Sequence, residues 1–280
     1  MDGGAVKTHI IAAGLAALGL MTSGTSTLAQ RVPAKAPVYV APAWSWSGFY
    51  VGVNAGWGWG KPTGDRDAIS PSPIAVAVAD GRIPGALDVK PDGAIGGGQI
   101  GVNWQTGVVV FGLEADIQGS GIREERNFTI AGPGFPALPA QITAEERIRW
   151  FGTARARFGV TPAERALLYV TGGFAYGSVE SSARIAFPFP GGGFDGDFSG
   201  ARSSTKTGWT AGGGFEYAWG NNWSAKAEYL YVDLGSDTIR LIDPNFPADF
   251  VDYRFQHRDH IFRAGINYRF GAPAPVVAKY

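Results

Sequence analysis

Cysteine is absent from the 280 residues, and only two methionines and three histidines occur. The missing thiols exclude a disulfide framework, a thiolate nucleophile and a thiolate metal site. Net charge is missing too. Lys+Arg and Asp+Glu stand at 24 each, so no overall field draws nucleic acid or an acidic substrate. Long apolar runs are few. The run from Ile10 to Met21 is too short to cross a bilayer as a helix, and no later stretch is apolar enough to do so. Such a chain can cross a membrane only as closed strands. What is abundant is glycine, 42 residues, beside 13% aromatics and nine tryptophans. The glycines keep no three-residue period, which excludes collagen, and 45% hydrophobic content excludes simple disorder.

The N-terminal apolar run, followed by Thr27-Leu28-Ala29, reads as a secretory signal over 1–29 with cleavage before Gln30. Residues 30–45 are rich in Pro and Ala and read as a periplasmic linker. Residues 46–270 then read as one barrel, and 271–280 as a short tail.

Within 46–270 the dominant signal is period-two alternation, the mark of a strand. It predicts strands over 48–60, 94–105, 108–118, 148–160, 166–177, 208–217, 223–233 and 260–270. Each is long enough for a tilted strand to cross a hydrocarbon core. Large apolar side chains alternate with glycine and with charges, for example Val109, Phe111 and Leu113 against Gly112, Glu114 and Asp116. In a soluble barrel the apolar row turns inward. The opposing row here suits a cramped polar lumen, so the apolar row faces lipid. Trp57, Trp59, Trp104, Trp209, Tyr217, Trp223, Tyr231, Tyr268 and Phe270 fall near strand ends, where girdle aromatics sit. The connections alternate between long (61–93, 119–147, 178–207, 233–259) and short (106–107, 161–165, 220–222). The expected fold is therefore all-β, an eight-stranded antiparallel up-and-down transmembrane barrel. Its long loops are extracellular, and its short turns and both termini are periplasmic.

Specific stretches along these strands carry a resemblance. They are Trp46-Ser47-Gly48-Phe49-Tyr50-Val51-Gly52, Gly98-Gln99-Ile100-Gly101, Gly112-Leu113-Glu114-Ala115-Asp116 and Trp150-Phe151-Gly152-Thr153. Further ones are Tyr169-Val170-Thr171-Gly172-Gly173, Glu228-Tyr229-Leu230-Tyr231 and Arg263-Ala264-Gly265-Ile266-Asn267-Tyr268-Arg269-Phe270. In this order the chain resembles the small porin-like outer-membrane proteins of alphaproteobacteria, the outer-membrane immunogenic protein family, which share the architecture of the OmpA-type barrel. The resemblance implies a cell outer-membrane location and insertion by the barrel assembly machinery. It also suggests haem as a loop ligand. Members commonly end at the last strand's aromatic, whereas this sequence continues past Phe270.

The residues read as facing the lumen include ten charges: Glu114, Asp116, Glu216 and Glu228 against Arg149, Arg155, Arg157, Lys226, Arg263 and Arg269. In a lumen only as wide as its side chains these must pair, because an unpaired buried charge is costly. One expectation is a structural network that closes the lumen; the alternative is a narrow passive pore for small solutes. His257 and His260 flank the last long loop and are the candidates for a loop ligand such as haem, against a reading as two solvated histidines. Catalysis finds no support. Ser178 or Ser236 near those histidines forms no recognised nucleophile–base set, and Gly96-Gly97-Gly98 and Gly212-Gly213-Gly214 lack the helix and Lys-Ser/Thr of a phosphate loop. No cofactor is expected. The expected partners are outer-membrane lipid and lipopolysaccharide, with host surfaces or small molecules at the apolar loop tips, for a monomer that supports the envelope.

Overall fold

The computed structural model describes residues 44–71, 74–132, 135–188, 195–220 and 222–271. The signal, most of the linker and the tail lie outside these residues. The described chain forms β1 (Gly48–Gly60), β2 (Thr63–Ile69), α1 (Ile74–Ala79), β3 (Ala86–Val89), β4 (Asp92–Thr106), β5 (Val109–Ser120) and β6 (Arg123–Gly132). It continues with β7 (Phe135–Ala163), β8 (Ala166–Pro188), β9 (Asp195–Gly220), β10 (Trp223–Asp243) and β11 (Phe246–Arg269). None of its helices is long and apolar enough to cross a membrane.

All eleven strands belong to one antiparallel sheet. Its closed circuit runs β1–β4–β5–β7–β8–β9–β10–β11 and returns through the β11–β1 pairing, from Tyr50↔Arg269 to Gly60↔Asp259. Closure leaves no unpaired edge inside that ring. The eight predicted strands are the members of the ring. The other three, β2, β3 and β6, lie in segments read from the sequence as loops. Tight turns join the strands at one end, where Gly107 and Asn222 take positive φ of 60° and 68°.

Those long loops are mostly strand. At the loop end β7 through β11 run 29, 23, 26, 21 and 24 residues, well beyond the ten or so that a bilayer needs. The wall changes polarity along its length. Near the turn end, Val53 and Val170 point outward and are 65% and 62% exposed, while Asn54, Gln99 and Glu114 are buried inside. Aromatic pairs bound this belt: Phe49–Phe270, Phe111–Phe158 and Trp223–Tyr268 at the turn end, Trp59–His260, Trp209–Tyr231 and Trp150–Tyr176 at the other. Beyond the second girdle the pattern inverts. Ile142, Ala144, Ile185, Leu241, Val251, Tyr253 and Phe255 turn inward and are buried, and polar residues such as Thr143, Arg184 and Arg240 face out. Lipid bathes one section and water the other, so the apolar row must change sides.

The extension is a two-sheet sandwich. Above Gly60, β10, β11, β2 and β3 pair in one sheet and β6, β7, β8 and β9 in the other. One apolar core joins them, with Leu241, Val251 and Phe255 from the first sheet and Ile142, Ile185 and Phe198 from the second. Ile74, Ala77 and Ile83 from the β2–β3 connection fill its interior, tied down by Tyr253 Oη donating to Pro84 O at 2.7 Å.

Candidate functional site

Side chains fill the membrane-level lumen in layers. At the turn end Trp46 is tucked in by its backbone N–H donating to Gln105 Oε1 at 2.7 Å and its indole N–H donating to Glu164 O at 3.2 Å. It packs with Val110, Leu167, Tyr169 and Ala218. Near the loop-end girdle Ile95, Phe151, Leu230 and Ile261 form a second apolar layer.

The charged layer lies on the inward rows of β5, β7, β9, β10 and β11. Arg155 donates to Glu228 at 3.0 Å and Asp116 at 3.1 Å, and pairs with Glu114. Arg263 donates to both Glu228 (2.6 Å) and Asp116 (2.9 Å). Lys226 Nζ lies 2.8 and 2.9 Å from the two oxygens of Glu114. Arg157 donates to Glu216 at 2.7 Å and stacks 3.9 Å over the Tyr169 ring. The formal charges match: Glu114, Asp116, Glu216 and Glu228 against Arg155, Arg157, Lys226 and Arg263. Six of these side chains, those of Glu114, Asp116, Arg155, Lys226, Glu228 and Arg263, have no solvent exposure at all. Pairing is what makes so many charges tolerable in a closed interior.

Sequence reasoning missed the neutral members of the network. Tyr50 Oη donates to Glu114 at 2.7 Å and Tyr169 Oη to Glu228 at 3.0 Å. Ser224 and Asn267 donate to Glu216 Oε1 at 2.6 and 2.8 Å. Asn267 Oδ1 then accepts from Gln99, whose own carbonyl accepts from Asn54, both at 2.6 Å. The signal was present: Tyr50 shares the phase of Asn54, and Tyr169 lies between the outward Leu168 and Val170.

Two of the ten predicted lumen charges stand elsewhere. Arg149 is a correction. A β-bulge between Ile148 and Trp150 shifts the β7 register, turning Ile148 inward and Arg149 outward. Its side chain is 55% exposed and pairs with Glu180 at 2.7 Å. Arg269 is mostly buried at the turn end, apart from the network. It donates to Ser47 O at 3.0 Å and lies 4.4 Å over the Trp44 ring.

The two loop histidines do not converge. His257 faces inward and is buried, with Nδ1 2.7 Å from Glu146 Oε1 and Nε2 3.5 Å from Asp237 Oδ2. It is therefore neither a solvated histidine nor a partner of His260. His260 faces the girdle, stacked on Trp59 with its Nδ1 2.6 Å from Tyr229 Oη. Three residues along a strand place two side chains on opposite faces, so no single metal or haem iron reaches both. Among the described residues, no group of three or more His, Asp or Glu is set to hold a metal.

Known proteins place this architecture. A family model described as outer membrane protein beta-barrel domain matches residues 14–270. The 31 kDa outer-membrane immunogenic protein of Brucella melitensis is 34% identical over 272 residues, covering 95% of this chain and 100% of that protein. The 22 kDa outer membrane protein of Rhizobium leguminosarum bv. viciae is 31% identical over 152 residues, 54% of this chain and 58% of that one. A looser similarity, 13% identity with a TM-score of 0.44, covers 82% of this chain and 99% of the outer membrane protein OprG from Pseudomonas aeruginosa. A lipid-facing apolar belt between aromatic girdles, a closed antiparallel ring and relatives of the Gram-negative outer membrane agree on one place and one fold: the chain belongs to the outer membrane β-barrel protein family.

Proposed function

We propose that this protein is a closed, non-conducting barrel that supports the outer membrane and presents a rigid β-sandwich to the cell exterior. The carrying observation is the charge-matched lumen layer, four carboxylates against four cations, set between two apolar layers. An ion passing through would have to displace Arg155, Arg263 and Glu228 together, and removing one partner of a buried pair costs about 3–5 kcal/mol. In this reading the turn end faces the periplasm. Lipopolysaccharide and lipid surround a monomer, inserted by the barrel assembly machinery, and the network is structural rather than catalytic.

Planar-bilayer recording with purified full-length protein tests the proposal. The expected trace is flat. Reproducible conductance steps of uniform size would overturn the closed reading in favour of a narrow pore. Deletion of the gene is expected to raise detergent sensitivity of the cell, restored by the wild-type protein.

A further inference from the structure

On one flank of the barrel the loop-end girdle is followed by a row of arginines. Arg123 of β6 and Arg147 of β7 stand directly opposite each other in register, and Arg147 stands opposite Glu180 of β8. Strand alternation puts both arginines on the outward face with Thr143, which lies farther along β7 and donates to Asn127 of β6 at 2.7 Å. The bulge adds Arg149 to the same face.

The carboxylate nearest this row is already engaged. Glu180 Oε2 lies 2.7 Å from Arg149 Nε, and Glu180 Oε1 accepts from Ser203 Oγ at 3.2 Å. Three other carboxylates are close. Asp92, opposite Arg123 on β4, accepts from the Trp57 indole at 3.2 Å. Glu125 accepts from Asn127 at 2.9 Å and faces Glu145 in the next outward pair. None of the four forms an ion pair with Arg123 or Arg147, whose side chains have no hydrogen-bond partner among the described residues. Like charges directly opposite across a sheet repel. The pair is therefore set for an anion that the chain does not supply. The far flank has no such surplus: Arg240, Arg254 and Arg258 are matched one to one by Asp252, Asp67 and Asp233 at 2.8, 2.8 and 3.1 Å.

The level of the row identifies the anion. Trp150 and Tyr176 belong to the outer girdle, and Arg149 and Arg147 follow just beyond it on β7. With about 3.3 Å per residue and a tilt of about 40°, Arg147 stands about 8 Å above Trp150. The headgroup zone of a bilayer is roughly 5–8 Å deep on each side. Phosphate is the anion of that zone, and the planar fork of arginine matches its oxygens in pairs. Beside the row lies a shallow recess of about 310 Å³, lined by Glu145, Glu180, Ser182, Ala201, Arg202 and Ser203. Its small, hydroxyl-bearing floor and flanking carboxylates suit a sugar ring. Glu145 and Glu180 in its wall are the neighbours of Arg147 along β7 and across to β8.

We propose that Arg123, Arg147 and Arg149 hold the phosphate of a phosphorylated glycolipid headgroup, the lipid A portion of lipopolysaccharide, with its sugar over the adjoining recess. The site rests on the orientation given above, with the loop end outside, and gives the surrounding lipid a fixed point on the barrel wall. Whether the lumen conducts has no bearing on it.

Titration of the purified full-length protein with lipid A in a nonionic detergent, read by native mass spectrometry, tests this. Micelles have no inside or outside, so the assay reads the site without assuming an orientation; surface labelling of the loop end on intact cells reads that separately. A chelator keeps divalent cations from bridging phosphate to Glu125 or Glu145. Arg123→Gln with Arg147→Gln is expected to weaken binding roughly twentyfold, about fivefold for each arginine at a membrane surface. Arg254→Gln, on the far flank, is expected to bind as wild type does. Lipid A stripped of its phosphates is expected to bind weakly and alike to wild type and the double variant. Excess inorganic phosphate is expected to leave the lipid bound. Equal affinity of the double variant and wild type, or equal binding of the stripped lipid to wild type, would overturn the proposal. Full displacement by inorganic phosphate would overturn it too, in favour of a site for free anions.

Discussion

Arg155 is the member of the lumen layer whose loss has the most to say about it. Its guanidinium serves three carboxylates, Glu114, Asp116 and Glu228, and its side chain has no solvent exposure. Arg155→Met keeps approximate length and volume while removing one positive charge, so the matched layer becomes four carboxylates against three cations. Breaking a buried network from one side costs about 3–5 kcal/mol, because the stranded carboxylates pay for desolvation without return. Glu228→Gln in the same background restores three against three. The double variant should thus be less destabilised than the two single losses summed, with a coupling of about 0.5–3 kcal/mol. Urea unfolding from lipid vesicles, followed by tryptophan fluorescence, measures all four corners of the cycle. A single variant within about 0.5 kcal/mol of wild type, or strict additivity, would refute the idea that these charges act as one balanced unit.

Three other outcomes follow from the same geometry. Val170→Arg, on the lipid-facing row, is expected to cost about 2–4 kcal/mol, whereas Thr143→Arg, outward beyond the girdle, should stay within about 0.5 kcal/mol; the same unfolding assay separates them. Leu241→Ala in the sandwich core is expected to cost about 2–5 kcal/mol locally, seen as faster proteolysis of the loop end with the membrane ring still protected. Gly101→Val should lower folding yield, read as loss of the heat-modifiable gel band, because a Cβ there runs into the Tyr50 ring, and overpacking costs about 1–3 kcal/mol.

The ring was legible because lipid and lumen impose opposite polarity on alternate residues, so Phe111 and Leu113 against Gly112 and Glu114 state both strand and face. The sandwich was harder to see. Its rows also alternate, with Ile239 and Leu241 set against Thr238 and Arg240, and Val251, Tyr253 and Phe255 against Asp252 and Arg254. That pattern lay between stretches rich in Pro and Gly, which favoured a loop reading. Arg149 was misplaced for a different reason. A bulge changes the phase of every residue on one side of it, and nothing in the order Ile148-Arg149-Trp150 marks where the extra residue sits. Likewise, the pairing of His257 with Glu146 joins residues 111 positions apart, beyond what spacing along the chain can reveal.

The reversal of polarity at the outer girdle carries the whole account, and a spin-label scan of the even-numbered row of β8 reads it directly. The chain has no native cysteine to interfere. Labels at Leu168, Val170 and Phe174 should collide readily with oxygen dissolved in the bilayer, and labels at Ser182 and Arg184 with a water-soluble nickel complex, the crossover falling near Tyr176. A single environment along the whole row, whether lipid or water, would contradict it.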